Sequence, residues 1–175
     1  MDSNDEGYFE LYRDSDEPIT SFNCGTNKGN LKTLDLSNLN TSQVTDMSSM
    51  FKECSGLTSL NVSNWDTSQV TDMTAMFKSC TSLVSLDLSN WDISQVQYIN
   101  GMFQQCSGLT SLDLSHFDMT RAYTFSTWMF YNCSSLKTIK VINEECASKL
   151  ISLIKYDLKK TATWVSTTKL ITIPE

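Results

Sequence analysis

The chain has few of the residues that interrupt regular structure and few that perform catalysis. Its 175 residues include two prolines, six glycines and one histidine, and charged side chains make up only 19% of the total. No apolar run approaches the roughly 20 residues that a membrane-spanning helix needs. The net charge of −7 disfavours nucleic acid, because binding to phosphate backbones depends on clustered Lys and Arg. We therefore expect a folded domain that neither inserts into membranes nor binds nucleic acid.

The motifs of common active sites are missing as well. The sequence has no nucleophile elbow, no glycine-rich phosphate loop and no HExxH zinc motif. Its single histidine, His116, stands where the other repeat units have Asn and has no evident partner in the sequence. The cysteines form no C-x-x-C pair, so tetrahedral zinc spacing is absent. We predict a protein that is not an enzyme and that holds no metal or cofactor.

A repeat organises the middle of the chain. Units begin at Leu31, Leu57, Leu83 and Leu109, and a fifth begins at Leu136 before the pattern departs. The first three units are 26 residues long and the fourth is 27. Apolar residues at positions 1, 4 and 6 of each unit predict a short strand with one buried face. Position 9 carries a large side chain in every unit: Leu39, Trp65, Trp91 and Phe117.

The second half of each unit shows a different spacing. Its apolar residues are separated by steps of 3, 3, 1 and 3, which indicates one face of a helix of about two to three turns. The same stripe occurs in three consecutive units: Val44, Met47, Met50, Phe51 and Cys54; Val70, Met73, Met76, Phe77 and Cys80; Val96, Ile99, Met102, Phe103 and Cys106. Each unit is thus predicted to contain a strand, a turn and a short helix.

Such units predict an α/β fold, a right-handed solenoid with a parallel sheet on one face and short helices on the other, because stacking buries each apolar stripe. Caps are expected at both ends, where apolar side chains would otherwise be wet. Residues 1–30 form the predicted N-terminal cap, with strands at 7–13 and 19–24. Residues 31–142 form the repeat array. Residues 143–175 form the C-terminal cap, with a helix at 144–160 that Asn143 can cap and short strands within 163–173.

One stretch of the repeat resembles a known family. SNWDTSQVTDM, followed by MFKSC and a new L-x-x-L-x-L, is similar to the 26-residue repeat of bacterial surface proteins. These are the BspA-like leucine-rich repeats, also widespread in mycoplasma lipoproteins. The resemblance covers roughly residues 31–142, and the tail stretch INEECASKLISLIKYDL also looks like the ending of such arrays. It implies a leucine-rich-repeat solenoid on a cell surface that binds host proteins, matrix or other cells, with no catalytic residue to carry over.

Three sets of repeated polar residues are predicted to be structural. One set shares the last position of the apolar stripe and is expected to form a buried column of reduced thiols: Cys54, Cys80, Cys106 and Cys133. A second set follows position 9 and is expected to hold a turn by accepting backbone N–H groups: Asn40, Asp66, Asp92 and Asp118. A third set lies on the outward face of the strands: Asp35, Asn61, Asp87 and Asp113. That face is expected to be solvated, the alternative being a shallow surface for a protein or a glycan.

The repeat pattern fails in the third and fourth units, and these departures mark a candidate binding site. The third unit has Gln97 and Tyr98 in place of Thr-Asp, and the fourth reads MTRAYTFSTWMFYNC with one extra residue. Tyr, Trp and Arg are enriched in binding hot spots. We predict a binding patch on the helical edge formed by Tyr98, Arg121, Tyr123 and Trp128. The alternative is that the extra residue makes a bulge and that Trp128 packs against the last helix.

The preferred interpretation is a non-catalytic protein-binding module, a bacterial surface adhesin or interaction domain that presents a rigid surface. Its partner would be a host or matrix protein, or a glycan, and its location the cell surface or the extracellular space. The alternative is a structural component of a larger assembly, such as a phage virion or a surface fibre, that binds a sibling protein. The acidic start MDSNDEGYFELYRDSDE has no signal-peptide pattern, which favours the second interpretation.

Overall fold

The computed structural model describes residues 29–119 and 128–175. In these two stretches the chain forms six short strands and one α-helix. The strands are β1 (Thr33–Asp35), β2 (Ser59–Asn61), β3 (Ser111–Leu114), β4 (Thr138–Val141), β5 (Thr163–Val165) and β6 (Leu170–Thr172), and the helix α1 spans Glu144–Asp157. The predicted strands at 7–13 and 19–24, and almost all of the predicted N-terminal cap, lie outside the described residues.

The strands form two small sheets. β1 pairs with β2 in parallel, with Leu34 opposite Leu60. β3 pairs with β4 in parallel, and the second sheet continues in the order β3-β4-β6-β5 with antiparallel pairing. The parallel pairs join residues 26 or 27 positions apart, such as Ser111 and Thr138. This separation equals the repeat length, so equivalent strands of consecutive units lie side by side.

The predicted fold class, an α/β leucine-rich-repeat solenoid with one long parallel sheet and short helices opposite, is wrong. The described residues contain two small sheets instead of a continuous one, and α1 is their only helix. The sheet is interrupted at residues 83–88 of the third unit, which form no strand. The Thr110 N–H bonds to the Val84 carbonyl there (3.0 Å), but the pairing does not extend into a ladder. The period-two pattern therefore predicts which leucines are buried, but not that every unit has a paired strand.

The predicted short helices are series of β-turns. Their apolar residues are buried as predicted, but the N–H groups alternate between two kinds of acceptor. Met50, Lys52 and Cys54 donate to carbonyls three residues earlier, at 3.1–3.4 Å. The intervening residues donate at 2.7–2.8 Å to carbonyls of the next unit: Ser49, Phe51 and Glu53. An α-helix needs consecutive N–H groups to bond four residues back, so this division of donors excludes one.

The turn bonds bring equivalent side chains into register, and aromatic rings stack through the core. Consecutive rings of one ladder have centroids 5.5–6.1 Å apart and planes within 5° of parallel: Phe51, Phe77, Phe103 and Phe130. Trp65 and Trp91 stack beside this ladder with centroids 6.0 Å apart. Their indole N–H groups donate to main-chain carbonyls of the preceding unit at 2.9 and 3.3 Å. The rings thus tie each unit to the next.

Helix α1 packs at the C-terminal end of these units. It begins after Asn143, whose side-chain oxygen accepts from the Cys146 N–H at 2.9 Å and so caps the helix as predicted. Leu150 and Ile154 on its buried face are fully enclosed in the core. The helix ends at Asp157, three residues earlier than predicted. After it, β5 and β6 form an antiparallel pair within the stretch predicted to hold strands.

Candidate binding surface

Positive φ recurs at two turn positions in every unit, one at Glu53, Ser79, Gln105 and Asn132 and the other four residues earlier. Both lie on the turn edge, by which we mean the surface formed by the segments 46–54, 72–80, 98–106 and 128–133. At the earlier position, the equivalent residues Ser49, Ala75, Gly101 and Trp128 have φ of 57°, 54°, 61° and 87°. Residues other than Gly rarely adopt this conformation, and for a bulky side chain it is strained. Small residues suffice in three units, so the large side chain of Trp128 is not required by the turn.

Trp128 presents its side chain to solvent beside Tyr131. The two ring centroids are 5.1 Å apart and the ring planes are inclined at 42°. The exposed fractions are 46% for Trp128 and 39% for Tyr131, whereas Trp65 and Trp91 are buried. Aromatic side chains offer a large contact area with few rotatable bonds, so an exposed pair is well suited to bind a partner.

The last residue of α1 fixes the backbone beneath this pair. The two carboxylate oxygens of Asp157 accept from the N–H groups of Trp128 and Phe130, each at 2.9 Å. In the second unit, the equivalent N–H groups of Ala75 and Phe77 donate to carbonyls of the third unit at 2.8 and 2.9 Å. The carboxylate of Asp157 therefore takes the place of two carbonyls of a further unit. It also holds the main chain of Trp128 in its strained conformation.

Burial governs the ionisation of Asp157, which is only 5% exposed. Burial raises the pKa of Asp157 above its ordinary value, although the two backbone N–H groups and the nearby charge of Lys159 act in the opposite direction. Desolvation thus outweighs the hydrogen bonds, and the folded protein holds this proton to a higher pH than the unfolded chain does.

Two of the four predicted site residues lie in the described part of the chain. Tyr98 and Trp128 are both about half-exposed, whereas Arg121 and Tyr123 lie outside the described residues. Among the described residues no ring contact joins Tyr98 to Trp128, and the structure brings Trp128 together with Tyr131 instead. The alternative interpretation placed Trp128 against the last helix, and the structure shows a contact of this kind through the main chain, from the Trp128 N–H to the Asp157 carboxylate.

Sequence reasoning misses two residues of this surface. Tyr131 stands where the preceding units have Lys78 and Gln104, and this change of residue type is a visible signal. Asp157 has a weaker signal. It is an acidic residue at the C-terminal end of a helix, where the helix dipole favours basic residues. An acidic side chain at the end of a helix needs a stabilising contact, and the N–H groups of Trp128 and Phe130 provide it.

The predicted column of thiols is buried and structural. Cys80, Cys106 and Cys133 are free, fully buried thiols whose Sγ atoms lie 2.9–3.0 Å from carbonyls of the preceding unit. Burial raises the pKa of all three thiols, that of Cys133 to about 12. The thiolate, which is the nucleophile and metal ligand, is therefore scarce at neutral pH. The prediction of buried, reduced packing is confirmed for these three residues.

The repeated Asp and Asn side chains accept backbone N–H groups two residues further along the chain. This confirms the predicted turn role for Asn40, Asp66 and Asp92, whose acceptor distances are 2.8–3.1 Å. The acids on the strand face, among them Asp35 and Asp87, make the same bond at 3.0 Å. Hydrogen bonds from the serine two residues later lower the pKa of Asp35, Asp66 and Asp87. These carboxylates therefore serve turns and do not converge on a common ligand.

A shallow depression of about 520 Å³ lies on another part of the surface. Its lining residues are Ser89, Asn90, Trp91, Asp92, Ser115, His116 and Ile142. His116 Nδ1 contacts the Ser89 carbonyl. The equivalent Asn90 bonds in the same way to the Ser63 carbonyl at 3.1 Å. His116 thus takes over the structural bond of an asparagine, and nothing in this contact indicates acid–base chemistry.

Neither a metal site nor a membrane span is found in the two described ranges. Within residues 29–119 and 128–175, no three His, Cys, Asp or Glu side chains are grouped so that they could hold a metal ion. In the same residues, no helix has both the length and the apolar character needed to cross a membrane.

These features define a repeat protein of stacked 26-residue units with a helix packed at the C-terminal end. Residues 20–143 match the family model described as "Mycoplasma protein of unknown function, DUF285", and the chain belongs to this family. No curated protein matches the chain, and no solved structure matches it. The match agrees with the mycoplasma part of the predicted resemblance, but it does not itself identify a BspA-like or leucine-rich-repeat family.

Proposed function

We propose that the protein is a non-catalytic binding module of a bacterial surface, an adhesin or interaction domain that contacts its partner through Trp128 and Tyr131. One observation carries the proposal, the φ of 87° at Trp128 where other units have Ser, Ala or Gly. A half-exposed Trp in a strained conformation adds little to the fold, and strain of this kind concentrates at functional sites. Trp and Tyr are also the residue types enriched in binding hot spots.

The rigidity of the surroundings supports the same proposal. Asp157 bonds the backbone on both sides of Met129, and Phe130 continues the ring ladder of the core. An aromatic pair on such a support is already in place before a partner arrives, so little conformational entropy is lost on binding. The resemblance to BspA-like surface repeats favours a displayed protein whose partner is a host or matrix molecule.

Replacement of Trp128 by Gly tests the proposal. Gly occupies the equivalent position 101 with φ of 61°, so Trp128→Gly fits the turn without a Cβ clash. We expect binding to intact host cells and to a panel of purified matrix proteins to fall by about tenfold or more. The melting temperature should stay unchanged or rise, because the strain is removed.

Val84→Ala is the matched control, since Val84 is a 50% exposed apolar residue in the stretch between β2 and β3. This variant should bind like the unchanged protein. Equal binding by Trp128→Gly and the unchanged protein would contradict the proposal. A large fall in the melting temperature of Trp128→Gly would instead assign Trp128 to packing.

A structural role in a larger assembly is supported by a different observation. Within the described residues, β5 is one of the two outer strands of its sheet and pairs only with β6, and Val165 on this strand is exposed. An outer strand is a template for pairing with another chain. Light scattering over a dilution series separates the two proposals. A mass of 19.8 kDa at every concentration favours the binding module, and a stable larger species favours the assembly component.

A further inference from the structure

Two neighbouring positions on the turn edge, those of Lys52 and Glu53 in the first unit, change from charged to uncharged side chains along the stack. In the first two units these positions hold mostly charged side chains: Lys52, Glu53, Lys78 and Ser79. In the third and fourth units they hold two glutamines, a tyrosine and an asparagine: Gln104, Gln105, Tyr131 and Asn132. Together with Trp128, these four residues form what we call the aromatic–amide edge. It contains no charged side chain, although the chain as a whole carries a net charge of −7.

The backbone places these residues in adjacent units. The Gln105 N–H donates to the Tyr131 carbonyl at 2.7 Å, and the Phe103 N–H donates to the Met129 carbonyl at 3.1 Å. The turn that carries the two glutamines therefore lies directly beside the turn that carries the aromatic pair. Tyr131 and Asn132 are exposed, so this surface is accessible to a partner.

Both glutamine amides have defined positions. The Oε1 atom of Gln105 accepts from the Ser79 hydroxyl at 2.8 Å, so its NH₂ group points away from Ser79. The Oε1 atom of Gln104 lies 3.2 Å from the point that a Cβ at Gly101 would occupy. Gly101 holds the turn position equivalent to Trp128 in the preceding unit. The Gln104 amide therefore lies over the position that neighbours Trp128 in the stack.

We infer that the aromatic–amide edge binds a neutral oligosaccharide, an inference that rests on the binding function proposed above. One face of a sugar ring is lined by C–H groups, which pack on an indole or phenol ring. Sugar hydroxyls both donate and accept hydrogen bonds, and an amide offers an acceptor and two donors in one planar group. None of the five side chains of the edge is a cation that could pair with a carboxylate or sulfate, and the negative net charge of the chain disfavours acidic glycans. Rings and amides without charge thus fit a neutral glycan.

The indole N–H signals of isotope-labelled protein provide a direct test by NMR. Four Trp residues give four signals, and the two from Trp65 and Trp91 come from buried, hydrogen-bonded indoles. The probes are maltohexaose, N-acetyllactosamine and chitotriose as neutral sugars, sialyllactose as an acidic one, and a polyproline decapeptide. We expect a neutral sugar to shift the Trp128 signal saturably, with a Kd of about 1 mM or tighter. The signals of Trp65 and Trp91 should not move.

Variants connect the shift to the edge. We expect Tyr131→Ser and Gln104→Ala each to raise the Kd by about fivefold or more, which corresponds to roughly 1 kcal/mol. Val84→Ala should leave the Kd unchanged. The Gln104 variant keeps both aromatic rings. A weaker affinity of this variant for the sugar would therefore show that hydrogen bonds to the amide contribute, and not only adhesion to exposed rings.

The failure of this inference can be distinguished from the failure of the proposed function. If no neutral sugar moves the Trp128 signal, while polyproline or enzymatically deglycosylated matrix protein binds and Trp128→Gly abolishes that binding, the glycan inference is overturned and the binding module stands. If Trp128→Gly and the unchanged protein also adhere equally to host cells and matrix proteins, the proposed function fails as well. Stronger binding of sialyllactose than of any neutral sugar would also overturn the inference.

Discussion

A carboxylate has two oxygens and can accept from two neighbouring N–H groups, as Asp157 does from Trp128 and Phe130 at 2.9 Å each. One side chain thereby supplies two of the acceptors that a further unit would provide. The Phe130 N–H is buried, so removal of the acceptor would leave it without a partner. An orphaned buried donor costs about 1–3 kcal/mol. The arrangement is stable because the carboxylate, though buried, has both oxygens occupied.

The raised pKa of Asp157 has a consequence for stability. The unfolded chain loses this proton near the ordinary value of 3.8, and the folded protein loses it at higher pH. Between these two values the folded state binds more protons, so the contribution of Asp157 to the free energy of unfolding falls as pH rises. We expect the difference in unfolding free energy between the unchanged protein and Asp157→Asn to decrease as pH rises from about 3 to 7. Urea unfolding at a series of pH values measures it.

Asp66→Asn is a matched variant for which the sign is reversed. A hydrogen bond from Ser68 lowers the pKa of Asp66, so its stabilisation is present above the unfolded value and is lost as pH falls. The corresponding difference for Asp66→Asn should therefore increase with pH. If the two variants gave slopes of the same sign, burial would not be the dominant influence on Asp157.

At the scale of the element, the turn segments show why an apolar stripe does not define a helix. Steps of 3, 1 and 3 put Met47, Met50, Phe51 and Cys54 on one side of a helix, and consecutive turns bury the same four residues. A helix and a series of turns differ in the acceptors of alternate N–H groups. In the turns, these N–H groups donate to carbonyls of the next unit. Those partners are 25 residues away in sequence, so a local pattern contains no information about them.

Substitution of Ala75 distinguishes a turn from a helix by the sign of its effect. Ala75 has φ of 54°, which Gly adopts more readily than Ala, so Ala75→Gly should raise the free energy of unfolding by up to about 1 kcal/mol. In a helix the same change would lower it by about 1 kcal/mol. Ala147→Gly in α1 is the helical control and should be destabilising. A loss of stability in Ala75→Gly would contradict the turn assignment.

Sequence reasoning predicts those elements whose determinants are local. Asn143 as helix cap, the buried thiols and the Asx turns at Asp66 and Asp92 each depend on residues close in sequence or on one repeated position. The Asp157 contact depends on the packing of α1 against the fourth unit. The Trp128–Tyr131 pair is local, since the Tyr131 N–H donates to the Trp128 carbonyl at 3.3 Å in one turn, but the exposure of both rings depends on the surrounding units. A sequence pattern marks Trp128 as unusual, but it does not say which side chain lies beside it.

At the scale of the whole molecule, stability should depend on contacts between neighbouring units. The Phe77 ring stacks on Phe51 at 5.5 Å and on Phe103 at 5.7 Å, whereas Phe130 stacks on Phe103 at 6.1 Å. Both Phe77 and Phe130 are fully buried, so they lose the same transfer free energy when they are shortened. The two positions differ in the number of aromatic neighbours and in whether they lie inside or at the end of the ladder.

Phe77→Leu should therefore lower the free energy of unfolding more than Phe130→Leu does. Phe77 has two more aromatic contacts than Phe130, one with a second Phe ring and one with Trp91 at 6.2 Å. Each is worth about 0.5–1.5 kcal/mol beyond burial, so we expect a difference of at least that size. Urea unfolding followed by tryptophan fluorescence and by circular dichroism measures it and shows whether both probes report one transition. In a stack whose units interact only with their neighbours, an interior change weakens two interfaces and a terminal change weakens one. Equal losses at the two positions would show that burial alone, and not ring stacking between units, holds the repeat together.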